Sequence, residues 1–191
     1  MTLKLLFLAL LLPVLALVLI LIATFFLQDF SVSATTDLTY IIVIVLSIKI
    51  CDVHFKKGKW FFDAKQVLTS FLLAVVLFGC FYIEKVLIGN NTKGSFSGYQ
   101  ILSSVVMVPI MEEFFSKRIL LDNLKKLLNN RLWVILIIAF YFWILHFPTF
   151  IITHFIFGLA TAYLYYTNKS LFQVILIHAL YNALIVLFNI Y

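Results

Sequence analysis

The sequence predicts an all-α, polytopic membrane protein of about seven transmembrane helices, on three observations. Apolar residues fill 64% of the 191 positions and charged ones 12%, with a mean hydropathy of +1.14, too apolar for a soluble globular domain. The apolar residues form long runs separated by short polar segments. The basic residues behind the net charge of +6 fall in those segments, where orientation in a bilayer requires them. Membrane lipids are therefore the expected surroundings, nucleic acid is not an expected partner, and residues 1–191 read as one membrane domain. Cys51 and Cys80 lie on different expected helices without a C-x-x-C spacing, so they indicate no redox motif.

Taken in order, the run from Leu5 to Leu27 is longer than the roughly 7–15 residues of a signal-peptide core and reads as a retained helix, kinked at Pro13. Gln28 to Asp37, rich in Ser and Thr and carrying two aspartates, reads as an external loop, and Leu38 to Cys51 as a short second span. The lysines of Lys49 to Lys65 put that loop and the N-terminus in the cytosol. Gln66 to Ile88 is the third helix, followed by a turn-rich external loop, GNNTKGSFSG. The fourth begins near Tyr99. Leu132 to Phe147 is the fifth, Pro148 opens the sixth at a position where proline is tolerated, and Leu171 to Tyr191 is the seventh, leaving the C-terminus external.

The fourth helix carries the most informative stretch, VMVPIMEEFFSKRIL, from Val106 to Leu120. An ionised side chain near the bilayer centre costs roughly 2.5–3.5 kcal/mol on insertion scales, so Glu112, Glu113, Lys117 and Arg118 require partners or a polar cavity. A helix end, with Lys117 and Arg118 snorkelling to the interface, would also supply them. Depth separates the two readings. If the helix runs unbroken from about Gly98 to at least Leu124, Glu112 lies roughly 20 Å deep and both cations face protein. His146, one turn from Phe142, and His178, one turn from Asn182, lie at comparable depth on the fifth and seventh helices. His54 reads as interfacial and His154 as a packed core histidine. Two glutamates, two histidines and an asparagine on the fourth, fifth and seventh helices satisfy one another by meeting in one site. Such a set can activate water with a carboxylate and an imidazole and donate to an oxyanion with the rest. It can alternatively bind Zn2+ through His146, His178 and Glu113, with a glutamate left as base; no H-E-x-x-H occurs.

These residues carry a resemblance. Glu112-Glu113 followed by Lys117, FWILH from Phe142 to His146, and HALYN from His178 to Asn182 resemble the E-E-x-x-x-R, F-x-x-x-H and H-x-x-x-N series of the CPBP family, the CAAX protease and bacteriocin-processing (Abi) intramembrane endopeptidases. FIFGLATAYLYY, from Phe155, is similar to the glycine-bearing helix the family places before its last motif. The likeness covers residues 105–187. It implies an intramembrane protease in which Glu112, helped by His146, activates water, His178 and Asn182 stabilise the oxyanion, and Glu113 with Lys117 holds the site, Phe142 and Arg118 supporting. No cofactor is required on this scheme, with Zn2+ as the alternative. The substrate implied is a membrane-associated peptide or protein, in peptide maturation or bacteriocin self-immunity, and the setting a bacterial plasma membrane.

One departure stands out: Lys117 occupies the family's arginine slot, and the arginine is displaced to Arg118. Lysine offers a point charge where arginine offers a planar fork. This keeps a second reading open, an immunity or regulatory protein that binds without cutting. A proton-coupled transporter is a third, but the chain shows neither internal repeats nor broken mid-membrane helices.

Overall fold

The computed structural model describes Leu15, Val18 and residues 29–50, 63–88, 96–146 and 151–190. Among these residues there is no strand, and six helices form the fold: α1 (Asp29–Ile50), α2 (Ala64–Ile88), α3 (98–127), α4 (Arg131–Leu145), α5 (Ile152–Asn168) and α6 (Leu171–Ile190). The expected first helix, the basic loop with His54, and Pro148 lie outside the described residues. Two of the six, Ala64–Ile88 and Leu171–Phe188, are long and apolar enough to cross a membrane on their own. The distribution of polarity is that of a protein in lipid. Leu87, Ile88, Leu132 and Val76 are 81%, 63%, 62% and 60% exposed, while Asp37, Glu113 and Lys117 are buried. Water would select the reverse.

The segment expected as the first external loop is helical instead: α1 begins at Asp29, not at Leu38. Asp37 accounts for the difference, because its carboxylate is buried and accepts hydrogen bonds from Tyr99 Oη at 2.7 Å and Ser103 Oγ at 2.9 Å of α3. Thr39 returns its hydroxyl to the Thr35 carbonyl within the helix, at 2.7 Å. Polar residues that suggest a solvated loop are thus satisfied by protein.

The expectation for α3 holds. Ser97 and Gln100 form a reciprocal capping box at its start, and the chain stays helical to Leu127. At about 1.5 Å per residue the glutamates lie roughly 20 Å from either end. The helix is not uniformly α, since Ser103–Met107 and Phe114–Leu121 have the wider π register. Pro109 explains the first of these. It has no N–H for the turn before it, and the Val108 N–H donates to the Ser103 carbonyl, five residues back. That shift deprives the Ser104 carbonyl of a helical donor, because its partner five residues on is Pro109 itself. Asn182 of α6 supplies one, with Nδ2 at 2.7 Å. No comparable cause is evident for the second π segment.

The hydrogen bonds between helices fix their directions. Gln173 reaches Thr69 near the starts of α6 and α2, and Phe188 packs on Phe78 near their ends, so these two run parallel. Ser104 at the start of α3 meets Asn182 near the end of α6, so α3 runs the other way. Helices α5 and α4 approach closely at Gly158. A Cβ there would lie 3.0 Å from Ala139 Cα, 3.1 Å from Ala139 O and 3.2 Å from Phe142 Cβ. The first two are backbone atoms, which give way least. Gly158→Ala is accordingly expected to cost about 1–3 kcal/mol by overpacking, read as a lowered unfolding midpoint in detergent. An unchanged midpoint would show that the two helices slide apart freely.

Candidate active site

Neighbouring residues on a helix point about 100° apart, so Glu112 and Glu113 cannot serve the same partner, and the structure divides them. Glu113 turns toward α6, where His178 Nδ1 lies 3.0 Å from its Oε1, while Lys117 Nζ, one turn along α3, lies 3.1 Å from its Oε2. Both members of the Glu113–Lys117 pair are completely buried. Lys117 also donates to Ser116 Oγ at 3.2 Å and lies 5.2 Å from the centre of the Phe142 ring. Because a carboxylate only accepts, His178 must donate through Nδ1, and the pairing fixes its ring orientation.

Glu112 turns toward α1. Its Oε1 accepts the Tyr40 hydroxyl at 2.8 Å, and its Oε2, also buried, has no hydrogen-bond partner among the described residues. Tyr40 is a site residue the sequence reading missed. Its signal was its place three residues after Asp37, which puts both on the α1 face that meets α3.

Phe142 links the two histidines. Its ring lies 4.6 Å from that of His146 and 5.7 Å from that of His178, with Phe157 stacked at 5.3 Å. Gly158, by admitting α5 against the Phe142 Cβ, sets this ring in place. His146 is the C-cap of α4, and its Nδ1 lies 2.8 Å from the Phe142 carbonyl. A carbonyl only accepts, so Nδ1 donates and the neutral ring keeps its lone pair on Nε2, the tautomer of a general base. His154, read from sequence as an ordinary core histidine, instead faces His146 with ring centres 4.2 Å apart, and its Nδ1 is buried with no partner among the described residues. The pairing was hidden because the two histidines stand eight positions apart, one at the end of α4 and the other in α5.

Two further groups hold this arrangement. Glu84 of α2 caps α5, accepting from the Ile152 and Thr153 backbone N–H groups at 2.6 and 2.8 Å, and so fixes the helix that carries His154. At the other end of the bundle Arg118 pairs with Asp122 at 3.0 Å. It therefore does not stand in for Lys117. Of the expected residues, the structure gathers Glu113, Lys117, Phe142, His146 and His178, leaves Asn182 on the Ser104 carbonyl, and joins Glu112 to α1.

The donor set does not fit zinc. Glu113 already has an ammonium on one oxygen and an imidazole N–H on the other, which leaves little for a cation beside them. Among the described residues no group of three or more His, Cys, Asp or Glu side chains is placed to hold a metal.

Residues 94–184 match the family described as type II CAAX prenyl endopeptidase, Rce1-like. Through this region the chain is similar to the CAAX-protease family. The matched region is just under half of the chain and holds Glu112, Glu113, Lys117, His146, His178 and Asn182. No curated protein and no solved structure matches the chain. The CAAX-protease family is one of membrane endopeptidases, in keeping with the apolar exterior of α2 and α6. The helix that supplies Tyr40 and Asp37, α1, lies outside the matched region.

Proposed function

We propose that the protein is an intramembrane endopeptidase that hydrolyses a peptide bond in a small membrane-associated peptide or protein. The observation that carries this reading is the unequal state of two adjacent buried carboxylates. Glu113 is neutralised and held by Lys117 and His178, whereas Glu112 is held at one oxygen by Tyr40 and keeps the other for chemistry. Glu112 Oε2 takes a proton from water as the water attacks the peptide carbonyl, and His146, its Nδ1 engaged by Phe142, assists at Nε2. The oxyanion is met by the second amide hydrogen of Asn182, the first being given to Ser104, and by His178 as an imidazolium, the only form that carries an N–H at Nε2 while Nδ1 donates to Glu113. The leaving amine takes the proton back from Glu112. Tyr40 acts as a positioning residue for the Glu112 carboxylate.

The membrane orientation that goes with this reading has the N-terminus in the cytosol and the C-terminus outside, in a bacterial plasma membrane. The family name suggests a prenylated C-terminal substrate; peptide maturation and bacteriocin self-immunity are the alternatives. Lys117 in the arginine slot favours a second reading, a membrane protein that binds such a peptide without cutting it. Comparing the peptides released from membranes that carry wild type or Glu112→Gln separates the two. Hydrolysis predicts products present only with wild type, and identical peptide profiles would leave the binder. His146→Ala is expected to lower turnover about 10²–10⁴-fold with an unchanged unfolding midpoint, because the ring is half-exposed at a helix end. Full turnover would remove His146 from the reaction.

A further inference from the structure

At the bundle end where α3 and α5 finish and α4 and α6 start, three cations from three elements converge on one aromatic ring. Lys125 of α3 lies 4.4 Å from the centre of the Tyr166 ring, Arg131 of α4 lies 5.2 Å from it, and Lys169, just past α5, lies 5.7 Å from it. Arg131 also lies 4.7 Å from the Tyr163 ring. All three cations are exposed. Like charges held this close repel one another unless an anion lies among them, and among the described residues the carboxylate that reaches this cluster, Asp122, is already engaged. Asp122 accepts from Arg118 at 3.0 Å, Lys169 at 2.6 Å and Tyr165 Oη at 2.9 Å. Lys125 and Arg131 have no carboxylate partner among the described residues. The aromatic rings hold the cations in place but do not neutralise them.

The surroundings identify the anion. Leu132 and Trp133, the two residues after Arg131, are 62% and 59% exposed on the first turn of α4. An apolar flank beside a cationic ring at a helix end matches a molecule with a phosphate and hydrocarbon chains, and Trp is the side chain that settles at that boundary. A soluble acidic protein or a nucleic acid would leave those two residues uncovered. We propose that Lys125, Arg131 and Lys169 around Tyr166 form a binding site for the phosphate of an anionic phospholipid, whose acyl chains lie over Leu132 and Trp133. The site is separate from the glutamates and histidines above. It ties the α3–α4 turn and the end of α5 to the leaflet, fixing the depth at which α3 and α4 carry their functional residues.

The full chain in phosphatidylcholine nanodiscs, titrated with phosphatidylglycerol, tests this through the unfolding midpoint and the number of lipids retained in native mass spectrometry. Wild type is expected to gain stability and retain phosphatidylglycerol, with the effect weakening as salt rises. Each of Lys125→Gln and Arg131→Gln is expected to weaken apparent phosphatidylglycerol affinity about 5-fold, and the pair about 30-fold, on the scale of one basic residue near an anionic surface. The midpoint in pure phosphatidylcholine should not change. Lys85→Gln, the same charge change at the opposite bundle end, should leave the response intact. Three results would overturn the proposal: an undiminished response in both single variants, an equal loss in Lys85→Gln, or reproduction of the whole shift by inorganic phosphate alone. Lys169 is left unaltered because its backbone adopts a positive φ of 55° and its side chain holds Asp122.

Discussion

Lys117→Met is expected to destabilise the fold by about 3–5 kcal/mol, the usual cost of removing one partner of a buried ion pair. The cause is what remains: Glu113, wholly buried, with His178 as its remaining partner among the described residues. Methionine matches the lysine in length and can still pack on Phe142, so lost volume contributes little. The readout is an unfolding midpoint in detergent or lipid. Changing both residues, Lys117→Met with Glu113→Gln, should recover more than half of the loss, because the amide oxygen still accepts from His178 Nδ1 and no charge is left buried. Equal stability of wild type and Lys117→Met would mean that Glu113 is satisfied in some other way. Lys117→Arg is expected to fold, since the guanidinium preserves the charge beside Glu113, and a faster reaction in that variant would show that lysine is the weaker clamp.

The second large effect is a split between two adjacent glutamates. Glu112→Gln is expected to abolish at least 10²–10⁴-fold of turnover while leaving the unfolding midpoint nearly unchanged, because the amide oxygen still accepts the Tyr40 hydroxyl. Glu113→Gln should do the opposite first, lowering stability by leaving Lys117 buried without a counter-charge. Activity would fall as a consequence. A conventional reading of two neighbouring carboxylates as an interchangeable pair predicts the same result for both, so the split is a direct test of the 100° separation on α3. If Glu113→Gln were stable and inactive while Glu112→Gln retained turnover, the two roles would be reversed.

What could be read from the sequence depended on how strongly each feature is forced. The unbroken α3 was legible because glutamates placed near a helix end could not reach the depth of His146 and His178. Its π segments were less so: Pro109 marks the first, through its missing N–H, and nothing in the residues marks the second. The Glu113–Lys117 pair followed from i, i+4 spacing and opposite charge, and the structure has it. The Glu113–His178 contact required knowing which of two glutamates faces α6, information held in helix packing. The start of α1 was misread because Asp37 and the hydroxyls beside it look the same in sequence whether water or α3 satisfies them. Tyr40 and His154 were missed for a related reason. Each acquires its partner from another helix, seventy-two residues on in the case of Glu112, and neither lies in a recognisable motif. Gly158 was noticed as part of a family pattern, but its physical reason, the contact with Ala139 and Phe142, is visible only in three dimensions.

The central claim is that Glu112 directs water onto a peptide bond inside the membrane. The most direct measurement uses the purified chain, reconstituted in lipid vesicles and incubated with a membrane-bound peptide carrying a prenylated C-terminal cysteine, with mass analysis of the products in water enriched in oxygen-18. Wild type should release a peptide whose new C-terminal carboxylate carries the label, and folded Glu112→Gln should release none. Labelled product formed at equal rates by both proteins would contradict the account.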